Sequence, residues 1–478
     1  MNQRRIFLLS ALIFIITAWF SEGFYQWDEH FQVFEFAGLK LGLTDKTSLP
    51  WEYECQMRPA IQPLIVYSIQ KACWFFGLTD PFFISFLLRL LAATVSFLSI
   101  YLLFKLYFKT FSQYQLQHAF LLLSFLLWFS VFNSVRFSSE SFAGRIFIIG
   151  FTLFLMKDRH RPVDYFTTGI FLAFAFLIRY QVAFMLIGFA AWLIFIHKAG
   201  IRNFAIFCLA IILFFFAGIL IDRWFYGEWT LTTWNYFHQN ILLDKASGFG
   251  TNPWWFYFEY TFMNTLPPFS LVYILAVIIY IIYKPKDLIT WTIVPFLVVH
   301  FIIAHKEIRF LFPIIGFLPV MIIASAEVIL KKTGNQLIEN KAVKICVKAF
   351  WYTNLILLGV VVVKPADSHI SIYKKLFYNY PNATTLYYIE NHPFNRVTAT
   401  NLNYYKRKNL VIQHIDSISM IVQKENTTSL YTTNKPLLPS DFPFKTTLIY
   451  SSYPDWIKRF NINNWIGRTY FWYIYEIN

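Results

Sequence analysis

Charge is scarce in this chain. Lys, Arg, Asp and Glu make up 14% of its 478 residues, against about 25% in a typical soluble domain. With 57% hydrophobic and 21% aromatic residues, so few charges cannot keep the apolar surface in water. A soluble globular enzyme and a disordered chain are thereby excluded. Acids are the scarcest, 26 against 41 Lys and Arg, a net charge of +15. Cysteine is nearly absent as well. Cys55, Cys73, Cys208 and Cys346 show no C-x-x-C and no metal-ligand spacing, which excludes a disulfide scaffold. Cys55 and Cys73 share a segment and admit pairing, with small buried side chains as the plainer alternative. No internal repeat is visible, which speaks against a transporter built from repeated halves.

What is there is a succession of apolar runs. A helix crossing a bilayer needs about 20 largely apolar residues. Ile6–Phe20 follows Arg4 and Arg5 without a small-residue cleavage site, so it reads as an uncleaved first span. Further candidates are Phe82–Phe104, Gln117–Phe132, Phe142–Met156, Tyr165–Ile178, Val182–Ile196, Phe204–Ile221, Phe269–Tyr283, Leu288–Ala304, Phe310–Leu330 and Ile345–Val363. The expectation is about eleven spans.

The loops between them sort by charge. With the N-terminus cytoplasmic, alternate loops carry Lys105/Lys109, Lys157/Arg159/Arg161, Lys198/Arg202, Lys284/Lys286 and Lys331/Lys332/Lys341/Lys344, nearly without acid. This is the positive-inside pattern. It accounts for much of the +15 as a topology signal, and no nucleic-acid partner is needed to explain the charge. The opposite loops, roughly 21–81 and 222–268, are rich in Trp, Tyr, Pro and Asn. After Val363 the composition turns polar, with turns such as Tyr380-Pro381-Asn382, Asn391-His392-Pro393 and Pro439-Ser440-Asp441. β-prone runs lie between them, including Leu410–Ile415, Ser419–Val422, Thr446–Tyr450 and Tyr470–Ile477. Residues 364–478 are therefore expected to form a small α/β domain on the outer side. Its sequons at Asn382 and Asn426 are of a kind that often arises by chance.

Several polar groups stand out against this background. Trp27-Asp28-Glu29-His30-Phe31-Gln32 places two carboxylates just beyond the first span. They suit a general base, or a solvated helix N-terminus favoured by the helix dipole. Trp51-Glu52-Tyr53-Glu54 precedes Arg58, which suits a phosphate or an ion pair with Glu54. Ala60–Phe76 reads as a helix lying in the interface. Glu140/Arg145 stand at the outer end of a span, and Arg179 interrupts an apolar run, where a snorkelling turn residue is the plainer reading. The second long loop holds Asp222, Tyr226, Trp254 and Tyr257. Its aromatics suit an interfacial belt or a wall for a sugar or isoprenoid.

The most specific segment is Ala304-His305-Lys306-Glu307-Ile308-Arg309-Phe310. On a helix, His305 and Arg309 would share a face with Lys306 beside them. Cations at an outer turn suit a phosphate headgroup, with Arg gripping its oxygens in a fork. No carboxylate cluster asks for a metal, and none is expected.

Taken in order, these segments resemble glycosyltransferase family 22, the polyprenyl-phosphate-mannose-dependent α-mannosyltransferases of N-glycan and glycosylphosphatidylinositol assembly. His305 to Phe310, followed by Pro313, is similar to the family's H-K-E-x-R-F signature, and Trp27 to Gln32 to its P-D-E-x-F-Q segment. Trp51-Glu52, Arg58 with Pro63, Asp222 to Trp229 and Gly250 to Tyr257 resemble four further elements, in matching order. Trp27, Pro59 and Ile308 depart from the usual Pro, Ser and second acid.

The resemblance implies a GT-C fold: an all-α polytopic module over residues 1–363, with an extracytoplasmic α/β domain after it. It implies inverting transfer of a mannosyl or related hexosyl residue from a polyprenyl- or dolichyl-phosphate-sugar donor to a glycan or glycolipid acceptor. Asp28 would be the general base, Glu29 its orienting partner, and His305, Lys306, Arg309 and Arg58 the phosphate holders. Glu307, Trp51, Glu52, Asp222, Tyr226, Trp254 and Tyr257 would line the substrate site. No cofactor is implied. The alternative class is a lipid-linked oligosaccharide flippase, which should line a path through mid-span with polar residues. The site would face the bacterial periplasm from the inner membrane, or the endoplasmic reticulum lumen. Richness in Phe, Ile, Asn, Lys and Tyr points to an AT-rich genome and a bacterial source.

Overall fold

The computed structural model describes residues 3–334, 339–397, 400–435, 438, 442–461, 464–466, 469 and 471–478. The expected turn Pro439-Ser440-Asp441 and the first residue of the expected strand at Tyr470 lie outside them. The chain divides into two compact units: one of Met1–Ser21, Glu52–Ile65 and Phe86–Lys364, the other of Glu22–Trp51, Val66–Ser85 and Pro365–Asn478.

In the first unit every apolar run becomes helix, but the helices differ in reach. Gln3–Phe20, Pro81–Thr110, Ile201–Tyr226, Ile308–Thr333 and Lys341–Val363 are the five long and apolar enough to cross a bilayer. Tyr114–Leu126 with Trp128–Ser134 adds a sixth as a pair bent by 44°. Against the expected count of about eleven, five or six helices among the described residues reach that length by themselves, and the other runs form helices of 13 to 17 residues. The reason is length. Ala183–Phe195 has 13 residues and Ser270–Tyr283 has 14, only about 20 Å of helix at 1.5 Å per residue, short of the roughly 30 Å hydrocarbon core.

Polar side chains satisfy the backbone where these helices end or break. Arg89 Nε donates to Ala18 O at 2.7 Å, and Arg136 to Ser21 O, so two buried guanidiniums close the C-terminus of Gln3–Phe20. The break at Leu127 strands a carbonyl and an amide in an apolar setting. Asn354, fully buried on Lys341–Val363, answers both: its Nδ2 donates to Leu126 O at 2.8 Å, and its Oδ1 accepts from Trp128 N at 3.1 Å. Ser139–Leu155, capped by Ser138, is buried along nearly its whole length. A Cβ on Gly144 would stand 2.4 Å from Pro313 Cα, so only glycine lets this helix meet the 308–317 segment so closely.

Among the described residues the second unit carries seven strands: β1 (Thr384–Tyr388), β2 (Asn395–Val397), β3 (Thr400–Asn401), β4 (Leu410–His414), β5 (Thr428–Thr433), β6 (Thr446–Ser451) and β7 (Tyr473–Ile477). Five form a mixed sheet of order β4-β1-β5-β7-β6, and β2 with β3 makes a separate ribbon. β4, β1 and β5 run parallel, with Thr384 opposite both Leu410 and Thr428. β7 is antiparallel to β5 and β6. The expected strand at Ser419–Val422 is instead a 3-10 turn at Ile418–Met420 followed by extended chain. The small α/β domain is otherwise present.

The Asp28 segment belongs to this unit. Its helix is α-helical at Trp27–His30, π-helical at Phe31–Glu35 and α-helical again to Leu41. The wider turn brings Glu35 inward, with no exposure at all. Its Oε1 lies 2.9 Å from His30 Nε2 and accepts from the amides of Asn403 (2.7 Å) and Tyr404 (2.9 Å); Thr44 donates to Oε2. A fully buried carboxylate is tolerated because every face of it meets a donor. Phe82 stacks on Tyr405 at 4.8 Å, and His30 on Phe34 at 5.6 Å.

Replacing Asn354 with Leu should leave Leu126 O and Trp128 N without partners, at about 1–3 kcal/mol each. Thermal unfolding in detergent should move down by several degrees, while Thr353→Ala, one position away and half-buried, loses a hydroxyl bonded to Ala349 O within its own helix and should leave it nearly unchanged.

Candidate active site

Residues 303–307 are not helical, and a 3-10 stretch runs over Ile308–Phe317. His305 and Arg309 therefore do not share a helix face as expected. They converge on Glu307 instead. Arg309 grips that carboxylate in a fork, Nε to Oε2 and Nη2 to Oε1 both at 2.7 Å, and His305 Nε2 reaches Oε1 at 3.2 Å. The local reason is Glu307's extended backbone (φ −132°, ψ 145°), which reverses the chain after Leu288–Ile302 and sets residues 305 and 309 on either side of it.

The turn is tied to the second long loop by backbone groups. His305 Nδ1 lies 2.8 Å from Gly250 O, Asn252 N donates to Ala304 O at 2.9 Å, and Asn252 Nδ2 to Lys306 O at 3.2 Å. Lys306 points inward, 3% exposed, and its ammonium donates to the carbonyls of Asn252 (3.1 Å) and Ile303. Burial holds its pKa below the usual ammonium value. Tyr257, 2% exposed, has its phenol pushed up first by burial and then by the Glu307 carboxylate. Trp254, by contrast, is 61% exposed.

Behind this turn stands Glu140 at the start of Ser139–Leu155, 1% exposed. Its Oε1 lies 3.0 Å from Arg179 Nη2 and 3.7 Å from Arg309 Nη1. Arg179 is buried rather than snorkelling; its Nε donates to Gln181 Oε1 at 2.9 Å, and its guanidinium lies over the Phe310 ring. Two guanidiniums and one ammonium against two carboxylates leave an excess of positive charge around the signature turn. Such an excess suits a phosphate.

A second cluster lies in the same unit. Asp222, near the end of Ile201–Tyr226, accepts from Ala60 N at 2.8 Å and so caps the start of the helix Ile61–Phe75. Tyr180 and Thr232 hydroxyls meet at 2.5 Å, and Thr232 donates on to Asp222 Oδ2 at 2.5 Å. Tyr226 donates to Arg58 O at 2.8 Å. Arg58 pairs with Glu52 at 3.4 Å, not with Glu54, and lies over the Tyr236 ring at 5.6 Å. The turn 179–181 belongs to both clusters: Arg179 and Gln181 to the first, Tyr180 to the second.

Sequence reasoning named Arg58, Glu52, Asp222 and Tyr226, which meet in the second cluster, and His305, Lys306, Glu307, Arg309 and Tyr257, which meet in the first. It singled out Glu140 and Arg179 without giving them a place in the site, and gave none to Tyr180, Asn252 or Thr232. The available signal was a charge inside an apolar run at Glu140 and at Arg179; Asn252 and Thr232 gave none. Asp28, Glu29 and Trp51 belong to the other unit. There Glu29 is 4% exposed and accepts from Tyr25 N at 3.0 Å, and Asp28 beside it is half-buried. Cys55 and Cys73 are free thiols. Among the described residues no group of three His, Cys, Asp or Glu is arranged around a metal position.

The helical membrane module, the small sheet domain and the charged turn between helices define an integral, multi-pass membrane protein of the GT-C class. The solved structure of ArnT from Cupriavidus metallidurans bound to undecaprenyl phosphate superposes with a TM-score of 0.56, covering 98% of this chain and 97% of that one. At 11% identity the likeness is one of fold. The chain belongs to the Alg9-like mannosyltransferase family, whose model matches residues 5–401. It is 37% identical to GPI alpha-1,2-mannosyltransferase 3 of Bos taurus over 103 residues, 21% of this chain and 18% of that protein. It is 24% identical to Mannosyltransferase APTG1 of Arabidopsis thaliana over 330 residues, 68% of this chain and 58% of that one. To GPI mannosyltransferase 3 of Candida albicans it is 26% identical, over 74% and 70% of the two chains. The chain thus spans less than two thirds of the bovine and plant relatives.

Glu140→Ala should leave Arg179 and Arg309 buried without their shared carboxylate. Removing one partner of a buried pair typically costs about 3–5 kcal/mol. Unfolding in detergent should shift down accordingly, and Glu140→Asp should recover part of the loss.

Proposed function

We propose that this protein is an inverting glycosyltransferase of the membrane's non-cytoplasmic face. It transfers a mannosyl or related hexosyl residue from a polyprenyl- or dolichyl-phosphate donor to a glycan or glycolipid acceptor. The observation that carries the reading is the positive excess around Arg309, Arg179 and Lys306, built on the turn that matches the family signature. Membership of a mannosyltransferase family supports transfer over lipid flipping.

In this mechanism the acceptor hydroxyl attacks the anomeric carbon from the face opposite the lipid phosphate. Asp28 takes the hydroxyl proton as the bond forms. Glu29, held by the Tyr25 amide, fixes the turn that aims Asp28. The departing lipid phosphate gathers charge, and fixed cations placed beforehand stabilise it. Arg309, His305 and Arg58 contact the phosphate. Lys306, its ammonium engaged by two carbonyls, supplies field and holds the turn in place. Glu307 orients Arg309 and His305. Glu52 orients Arg58, Asp222 and Tyr226 secure the entry to the first-loop helix, and Trp51, Trp254 and Tyr257 line the sugar and isoprenoid path. The organelle or bacterial membrane that houses the reaction follows from the source of the donor lipid.

Purified protein incubated with polyprenyl-phosphate-mannose and a panel of glycan acceptors should yield a product one hexose heavier. Asp28→Asn should lower that rate by about 10²–10⁴-fold at native expression and unaltered thermal unfolding. Full activity in this variant would refute the base assignment.

A further inference from the structure

The sheet of the second unit has a topological switch point. From β1 the chain leaves toward β4 on one side, and from β5 it leaves toward β6 and β7 on the other. β1 and β5 are adjacent and parallel, so their carboxyl ends open a crevice where the two connections part. In open α/β sheets ligands settle in such crevices. Here the crevice holds a cavity of about 290 Å³, lined by Glu390 and Asn391 after β1 and by Tyr431, Thr432, Asn434 and Lys435 on and after β5. That is the small end of the usual ligand-pocket range of roughly 300–1,000 Å³, suited to one monosaccharide unit rather than a whole glycan.

The lining specifies the chemistry. Lys435 Nζ pairs with Glu390 Oε1 at 2.7 Å, so the rim is neutral overall and gives an anion no unmatched cation. Two side-chain amides present both donors and acceptors. Tyr431, 5% exposed, lines the crevice with its ring packed against Phe442 at 5.4 Å. Thr432 is 1% exposed, is among the residues lining the cavity, and its hydroxyl has no hydrogen-bond partner among the described residues. A buried hydroxyl without a partner is costly unless something supplies the hydrogen bond.

We propose that this crevice binds a neutral hexose of the glycan acceptor, with Thr432, Asn391 and Asn434 as hydrogen-bonding groups. The binding of a sugar stands on the pocket alone; its assignment to the acceptor rests on the glycosyltransferase reading.

The test uses the full chain in nanodiscs, with α-methyl mannoside and α-1,2-mannobiose as probes and no donor lipid. Saturation-transfer NMR should give a saturable signal that weakens by about 2- to 10-fold in Thr432→Val and in Asn391→Ala. Asn391 is only half-buried, so its variant tests the pocket independently of how well Thr432→Val folds. In the transfer assay both variants should raise KM for the acceptor and leave KM for the donor and kcat unchanged. Absence of saturable binding by wild-type protein, or variants that bind as wild type does, would overturn the site. An unmoved acceptor KM would overturn its assignment to the acceptor. Mannobiose binding by protein that transfers no sugar would uphold the pocket and count against the enzymatic reading instead.

Discussion

One buried carboxylate holds the charged turn in place. Glu140 meets Arg179 at 3.0 Å and stands 3.7 Å from Arg309. An uncompensated guanidinium this deep would be expelled or would unfold its surroundings. The same helix fixes the distance as well as the charge, because Gly144, one turn on, lies directly against Pro313. Electrostatics and packing are thus set by a single element, and a shift of that helix disturbs both together. Arg179 carries the constraint further, since its neighbour Tyr180 anchors the Asp222 cluster through Thr232.

The second unit applies the same physics to a different end. Glu35 is as deeply buried as Glu140, yet both of its oxygens are answered by hydrogen-bond partners, His30 and two backbone amides at Oε1 and Thr44 at Oε2. Glu140 balances part of a cationic cluster and leaves a residue of positive charge. One acid therefore acts as a rivet, the other as a partial counterion, and what distinguishes them is the ratio of donors to carboxylates around each.

Much of the helical architecture was legible because apolar runs need no partner to be recognised. Every predicted apolar run lies on helix, and the C-terminal sheet was announced by the change of composition after Val363. The count of spans was not legible, since hydropathy reports polarity and only the helix length decides reach. β1 and β5 escaped notice because Thr384–Tyr387 and Ser429–Thr432 are buried on both faces, which erases the alternation that marks a half-exposed strand. Ser419–Val422 misled in the opposite way, an apolar run too short to tell strand from turn. In the site, motif residues stood out by their spacing. Glu140 stood out as a charge at the end of a span, but its role arises only when segments far apart in sequence converge on it.

The Asn354 bridge has a consequence for the order of synthesis. The break at Leu127 enters the membrane 228 residues before its carbonyl's partner is made. In hydrocarbon, stranded backbone groups are tolerated only where protein or water satisfies them. During that interval the bent pair must borrow water, or remain a straight helix whose own ladder is intact, and the kink becomes permanent only when the last long helix docks. The final span is therefore a late-arriving clamp, and a chain released before it would carry every motif of the site without the bend on which its first helices settle.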